Sequence, residues 1–153
     1  MPDYRRWKIP GGSFFFTVVT ADRRPILTTD LGRQCLHQAF DEVKAETPFE
    51  IFAMVLLPDH MHSVWTLPPG DDDFSSRWAK VKTAFTKKYL ANGGTEAPIS
   101  ASRRKKGERG IWQRRFWEHF VRNEDDLKRC VDYIHVNPLK HGYVTSVKDW
   151  QWS

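Results

Sequence analysis

Two adjoining runs decide the fold: Phe49-Glu-Ile-Phe-Ala-Met-Val-Leu-Leu57 and, after Pro58-Asp59, His60-Met-His-Ser-Val-Trp-Thr-Leu67. Each has strand length and is rich in β-branched and aromatic residues, so the pair reads as an antiparallel hairpin around a Pro-Asp turn. Pro68-Pro69-Gly70 closes it. Phe49 to Leu57 is apolar almost throughout, which predicts a central strand. Along the second run, side chains alternate between faces. His60 and His62 therefore project together while Met61 turns into the core.

Upstream, a polar, basic arm with Arg5, Arg6 and Lys8 ends at Gly11-Gly12, and Ser13 to Thr20 (Ser-Phe-Phe-Phe-Thr-Val-Val-Thr) reads as a buried strand. Thr29-Asp30 supplies the cap of a helix over about 31–44, with Leu36, Phe40 and Val43 on one face, and Pro48 ends it. Downstream, Asp71 to Asp73 stand where the positive end of a helix dipole begins. Phe74, Trp78, Val81, Phe85 and Tyr89 keep helical spacing to about Leu90, and the other face carries Arg77, Lys80, Lys87 and Lys88. Residues 92–110 are rich in Gly, Ser and basic residues without an apolar period, which predicts a mobile loop. A fourth strand follows over Trp112 to Val121. Asn123 caps a last helix with an acidic first turn and an apolar side of Leu127, Val131 and Ile134, ended by Pro138 and Gly142. The order β-α-β-β-α-β-α predicts one α+β domain over 1–153: a ferredoxin-like antiparallel sheet covered on one face by helices.

Composition narrows the partner. Of 153 residues, 40% are hydrophobic and 28% charged, as in globular proteins. No apolar run approaches a membrane span, the start does not read as a signal peptide, and two distant cysteines exclude a disulfide framework or zinc knuckle. The expected compartment is the cytoplasm, and no membrane partner is expected. Lys and Arg number 24 against 19 acids, and Arg103, Arg104, Lys105, Lys106, Arg109, Arg114 and Arg115 crowd one stretch with Glu108 as its only acid. That clustering points to a polyanion, although any one of these cations reads equally well as solvated surface.

The chemistry rests on few residues. Two imidazoles side by side on a sheet suit a divalent cation, since neutral imidazole is the commonest protein metal ligand; two histidines bonded to their neighbours are the bland alternative. Tyr133 and Asn137, four apart, share a helix face. Asn137 offers a hard oxygen suited to magnesium or manganese, and Tyr133 a phenol oxygen. A core tyrosine fits the same spacing.

Leu57-Pro58-Asp59-His60-Met61-His62, Arg115-Phe116-Trp117-Glu118-His119 and Tyr133-Ile134-His135-Val136-Asn137-Pro138-Leu139-Lys140-His141-Gly142 resemble the REP-associated tyrosine transposases. These belong to the single-tyrosine HUH (His-hydrophobic-His) transposases of bacterial insertion sequences. Tyr4-Arg5-Arg6 and Leu67-Pro68 with Gly70 to Trp78 match as well, so the resemblance spans nearly the whole chain. It implies a metal-dependent endonuclease and strand transferase acting on single-stranded DNA at hairpins called repetitive extragenic palindromes. His60, His62 and Asn137 would hold Mg²⁺ or Mn²⁺, and Tyr133 would form a 5′-phosphotyrosine. Lys140 or His141 would assist. Arg5, Arg6, Lys8, Arg77, Lys80, Lys88, Arg103, Arg104, Lys105, Lys106, Arg114 and Arg115 would bind DNA. The resemblance also implies action near the nucleoid, as a monomer if like the REP-associated branch or as a dimer if like the insertion-sequence relatives, and family members continue past Trp150. Two other readings stand beside it: a silent single-strand-binding module, and a replication initiator or relaxase of like chemistry.

Overall fold

The computed structural model describes residues 10–140, with side chains to Asn137. Strand β1 (Ser13–Val19) leads into α1 (Asp30–Glu46). Then come β2 (Glu50–Leu56), β3 (His60–Thr66), α2 (Phe74–Ala91), the short α3 (Ala101–Lys105), β4 (Trp117–Phe120) and α4 (Glu124–Lys140). All sheet pairings are antiparallel and the order is β2-β3-β1-β4, which is the ferredoxin-like arrangement expected.

The expected hairpin forms, with Leu56 opposite Met61, but its two strands exchange roles. β3 is central and buried over most of its length, whereas the more apolar β2 lies at the edge. A register shift between Ile51 and Ala53 turns Phe52 outward, where it is 52% exposed. The apolarity of β2 reflects cover on both faces near Val55 to Leu57, not a central position.

Helices cover both faces rather than one. Phe14, Phe16, Val18, Met61 and Trp65 meet α1 and α2 in the larger core, where Trp65 and Trp78 stack with centroids 4.3 Å apart. Phe15, Val55, Val64 and Leu57 meet Cys130 and Ile134 of α4 in a smaller core opposite. The strand alternation of β1 and β3 makes this division, and it places both histidines under α4.

Caps are as the sequence indicates: the Thr29 hydroxyl accepts from Gly32 N–H, and Asn123 Oδ1 accepts from Asp126 N–H at 2.8 Å. β4 is shorter than the predicted strand; Trp112 makes only an isolated bridge to Thr20. The 92–110 segment has more structure than its composition suggests. Ala97 N–H donates to Gly110 O at 2.8 Å, and a Cβ on Gly110 would lie 1.8 Å from Ala97 O, so only glycine closes this neck. Arg24 bonds Thr95, and Glu96 and Glu108 gather Arg104, Arg103 and Arg114.

Arg77 is a fold residue, contrary to its expected place on a DNA-binding face. Its side chain is 4% exposed. The guanidinium donates to Thr47 O, Pro48 O and Asp73 O and forms a forked pair with Asp71. These bonds tie the start of α2 to the end of α1. Arg77→Ala is expected to lower stability by about 3 kcal/mol, since it orphans buried carbonyls and a paired carboxylate. A thermal melt should show Tm falling by roughly 6–12 °C. The Arg77 hydrogen bonds also hold the Asp71 pKa down to about 2. A depressed carboxylate stabilises above its unfolded pKa, so this contribution is present above about pH 4 and is lost as pH falls towards 2.

Candidate functional site

Three elements build the site: β1 and β3 as its floor and α4 as its wall. Thr17 pairs with His62 and Val19 with His60 in the β1–β3 ladder. His60 and His62 are buried, with ring centroids 5.0 Å apart. Each ring is anchored through Nδ1: His60 to Asp59 Oδ1 at 2.6 Å, and His62 to Thr17 Oγ1 at 2.8 Å. With Nδ1 engaged, Nε2 is the nitrogen each imidazole could offer a cation, as where a carboxylate or hydroxyl orients a metal-binding histidine.

Asp59 is itself held. Its side chain accepts from Arg23 Nε at 2.9 Å, and its carbonyl from the Thr20 N–H and hydroxyl. Desolvation raises its pKa, but the His60 hydrogen bond and the charges of His60 and Arg23 outweigh this and leave it lowered. Asp22 and Arg23 have φ of 52° and 50°, a left-handed backbone that costs of order 1–3 kcal/mol per residue. That turn delivers the Arg23 guanidinium to Asp59.

Above the pair, the Tyr133 ring stands edge-on to His62 at 5.2 Å and to Phe15 at 5.9 Å, and the residue is 38% exposed. One turn on, Asn137 is wholly buried, and neither its Oδ1 nor its Nδ2 has a hydrogen-bond partner among the described residues. An unmet buried amide costs about 1–3 kcal/mol, so this asparagine needs a partner beyond the described residues, which a ligand could supply. Two imidazole nitrogens and an amide oxygen form a donor set that suits a divalent cation.

A groove of about 480 Å³ runs from Thr17, Phe15, His62 and Tyr133 to Trp117, His119, Asp126, Arg129 and Cys130. His119 Nε2 lies 2.9 and 3.1 Å from the Asp126 oxygens. A hydrogen bond from Arg122 N–H, followed by the His119 contact, holds the Asp126 pKa low. His119, Asp126 and Cys130 bring potential ligand atoms within 4.8 Å of one another. Burial and the Asp126 charge push the Cys130 thiol up to about 11, so it is protonated at neutral pH.

The structure thus brings His60, His62 and Tyr133 together and places Asn137 on the same wall. Other expected positions fare differently. Lys80 pairs with Glu46 at 3.1 Å and Lys88 with Glu42, so that face of α2 docks on α1. Arg103, Arg104 and Arg114 are paired with Glu108 or Glu96. Lys105, Lys106 and Arg115 are exposed and make no ion pair among the described residues. Arg5, Arg6, Lys8 and His141, and the Lys140 side chain, lie outside the described residues. The sequence reading gave no role to Thr17, Arg23, Asp59, Trp117, His119 and Asp126, although Asp59, Trp117 and His119 stand in the strings that carry the resemblance.

Comparison with known proteins bears on the family and the fold. The family model described as "Transposase IS200 like" matches residues 12–137. The chain is 48% identical over its full length to the REP-associated tyrosine transposase of Escherichia coli strain K12, covering 82% of that protein. It is 42% identical to a Haemophilus influenzae relative provisionally given the same designation, covering 85% of it. A solved REP-associated tyrosine transposase bound to a REP hairpin superposes with a TM-score of 0.79 at 46% identity, over 99% of this chain and 81% of that one.

Proposed function

We propose a mechanism and a substrate for this chain on one premise: it belongs to the IS200-like transposase family, as a REP-associated tyrosine transposase, and is a DNA nicking and rejoining enzyme. The substrate is a single-stranded segment beside a DNA hairpin of the repetitive palindromic type, the ligand of the similar solved protein. The whole chain, 1–153, acts as one catalytic domain.

Tyr133 is the nucleophile. Its phenol oxygen attacks phosphorus in line, an O–P bond forms, and the bond to the 3′-oxygen breaks, leaving a 3′-OH and a 5′-phosphotyrosine. The link keeps the phosphodiester's bond energy, so a 3′-OH can attack it in turn and restore both tyrosine and DNA without ATP. His60, His62 and Asn137 are the residues that would hold a divalent cation, with Mg²⁺ or Mn²⁺ matching the donor set. When bound, such an ion supplies Lewis-acid stabilisation of charge on a non-bridging phosphate oxygen. Asp59 and Thr17 fix the imidazole planes, and the ring contact with His62 places Tyr133 over the pair. The His119–Asp126–Cys130 cluster is the lesser candidate, because His119 and Asp126 already bond each other and the thiol is protonated.

The observation that carries the reading is the buried amide of Asn137, without a hydrogen-bond partner among the described residues, one turn from a tyrosine that stands on a histidine pair. Its test is a denaturing gel of labelled hairpin DNA incubated with protein, with and without Mn²⁺. A retarded covalent band that needs metal is expected; uncut DNA with only native-gel binding would support the silent module instead.

Of the cations expected to bind DNA, Lys105, Lys106 and Arg115 are exposed and make no ion pair among the described residues, so they would meet phosphates without first breaking one. A Lys105→Ala, Lys106→Ala, Arg115→Ala variant should reduce the slope of log K against log salt by up to about 0.9 per lost duplex-phosphate contact. A slope identical to wild type would remove this patch from the interface.

A further inference from the structure

We propose that Trp117, stacked on His119, is a platform for one unpaired nucleobase next to the scissile phosphate; the proposal rests on the strand-cleaving reading above. Trp117 is 55% exposed in a chain whose Trp65 and Trp78 are fully buried. It sits on β4, an edge strand, on the same sheet face as the histidine pair, opposite Thr17 in the β1–β4 ladder. One ring face is held: the indole lies parallel to the His119 imidazole, at 4° with centroids 6.0 Å apart.

That imidazole cannot easily turn. Asp126 bonds it at 2.9 Å and is itself fixed by the Arg122 N–H at 2.9 Å, at the capped start of α4. The indole is therefore held in plane before any ligand arrives, which lowers the ordering cost of binding. Phe15 sets its distance from the chemistry. That ring is edge-on to both Trp117 and Tyr133, each at 5.9 Å, so the platform and the nucleophile are separated by a single aromatic ring within one groove. A strand with its phosphate at Tyr133 brings a neighbouring base over Trp117, in a groove that Arg129 also lines.

Stacking accepts every base, because each has a π-face. Trp117 thus holds the strand in register without choosing its sequence. His119 and Asp126 are positioning residues that act through it.

The test uses the full chain and hairpin oligonucleotides with 2-aminopurine placed at successive positions of the single-stranded foot. Quenching should be strong at one position beside the cleavage site, disappear in Trp117→Ala and persist in Trp117→Phe. In cleavage assays Trp117→Ala should raise KM by about 5- to 150-fold, the range for loss of one stacked base, with kcat little changed. The same variant should bind a hairpin lacking the foot as wild type does and should keep its Tm. An unchanged KM with persistent quenching would overturn the platform, as would equal loss at every position. If wild type forms no covalent adduct, the strand-cleaving reading fails, and the quenching scan separately decides whether a base stacks on Trp117.

Discussion

Tyr133→Phe is expected to abolish the covalent protein–DNA adduct, by about 10⁴-fold or more, as for removal of other enzymic nucleophiles. Hairpin affinity should stay within about twofold, since one hydroxyl supplies little phosphate binding beside the basic residues. The substitution is conservative for the fold. The edge-on contacts with His62 and Phe15 belong to the ring, which phenylalanine keeps, and the residue is already 38% exposed. Adduct yield on a denaturing gel and affinity on a native gel therefore separate chemistry from structure. Parallel loss of both would make Tyr133 structural, and an adduct that persists would require another nucleophile.

The second large effect is a trade between stability and metal binding at Asn137. Its amide is wholly buried without a hydrogen-bond partner among the described residues, so Asn137→Leu should stabilise the metal-free protein by about 1–2 kcal/mol. Wild type should gain about 2.7 kcal/mol when Mn²⁺ is present at 100 times its Kd, and the variant should gain far less while losing cleavage. Thermal melts with and without Mn²⁺ read both terms. His62→Ala should also remove the metal-dependent shift, without the metal-free gain, because it breaks the bond to Thr17. If Asn137→Leu destabilises the metal-free protein and leaves the Mn²⁺ shift intact, Asn137 is a packing residue and the ion lies elsewhere.

Much of this site is written in local spacing. Residues two apart on a strand share a face, which puts His60 and His62 together whatever surrounds them. Residues four apart on a helix do likewise, which pairs Tyr133 with Asn137. The hairpin, the helix caps and the α+β class follow from signals within a few residues of one another. What joins the two pairs, and which cations remain for DNA, does not. Lys80 and Lys88 look like free cations until α1 places Glu46 and Glu42 against them.

By itself, then, the sequence determined the four strands and three long helices in their order, though not α3 or the bounds of β4, and the facing of the histidine pair, because these depend on backbone periodicity. Only the tertiary structure decided that β3 rather than the more apolar β2 is central, and that α4 closes the face opposite α1 and α2. It alone set Thr17 against His62, Arg23 against Asp59 and Arg77 into the buried junction of α1 and α2. The reason is range: these partners lie 30 to 45 residues apart, and hydrogen bonds across such distances exist only once the chain has packed.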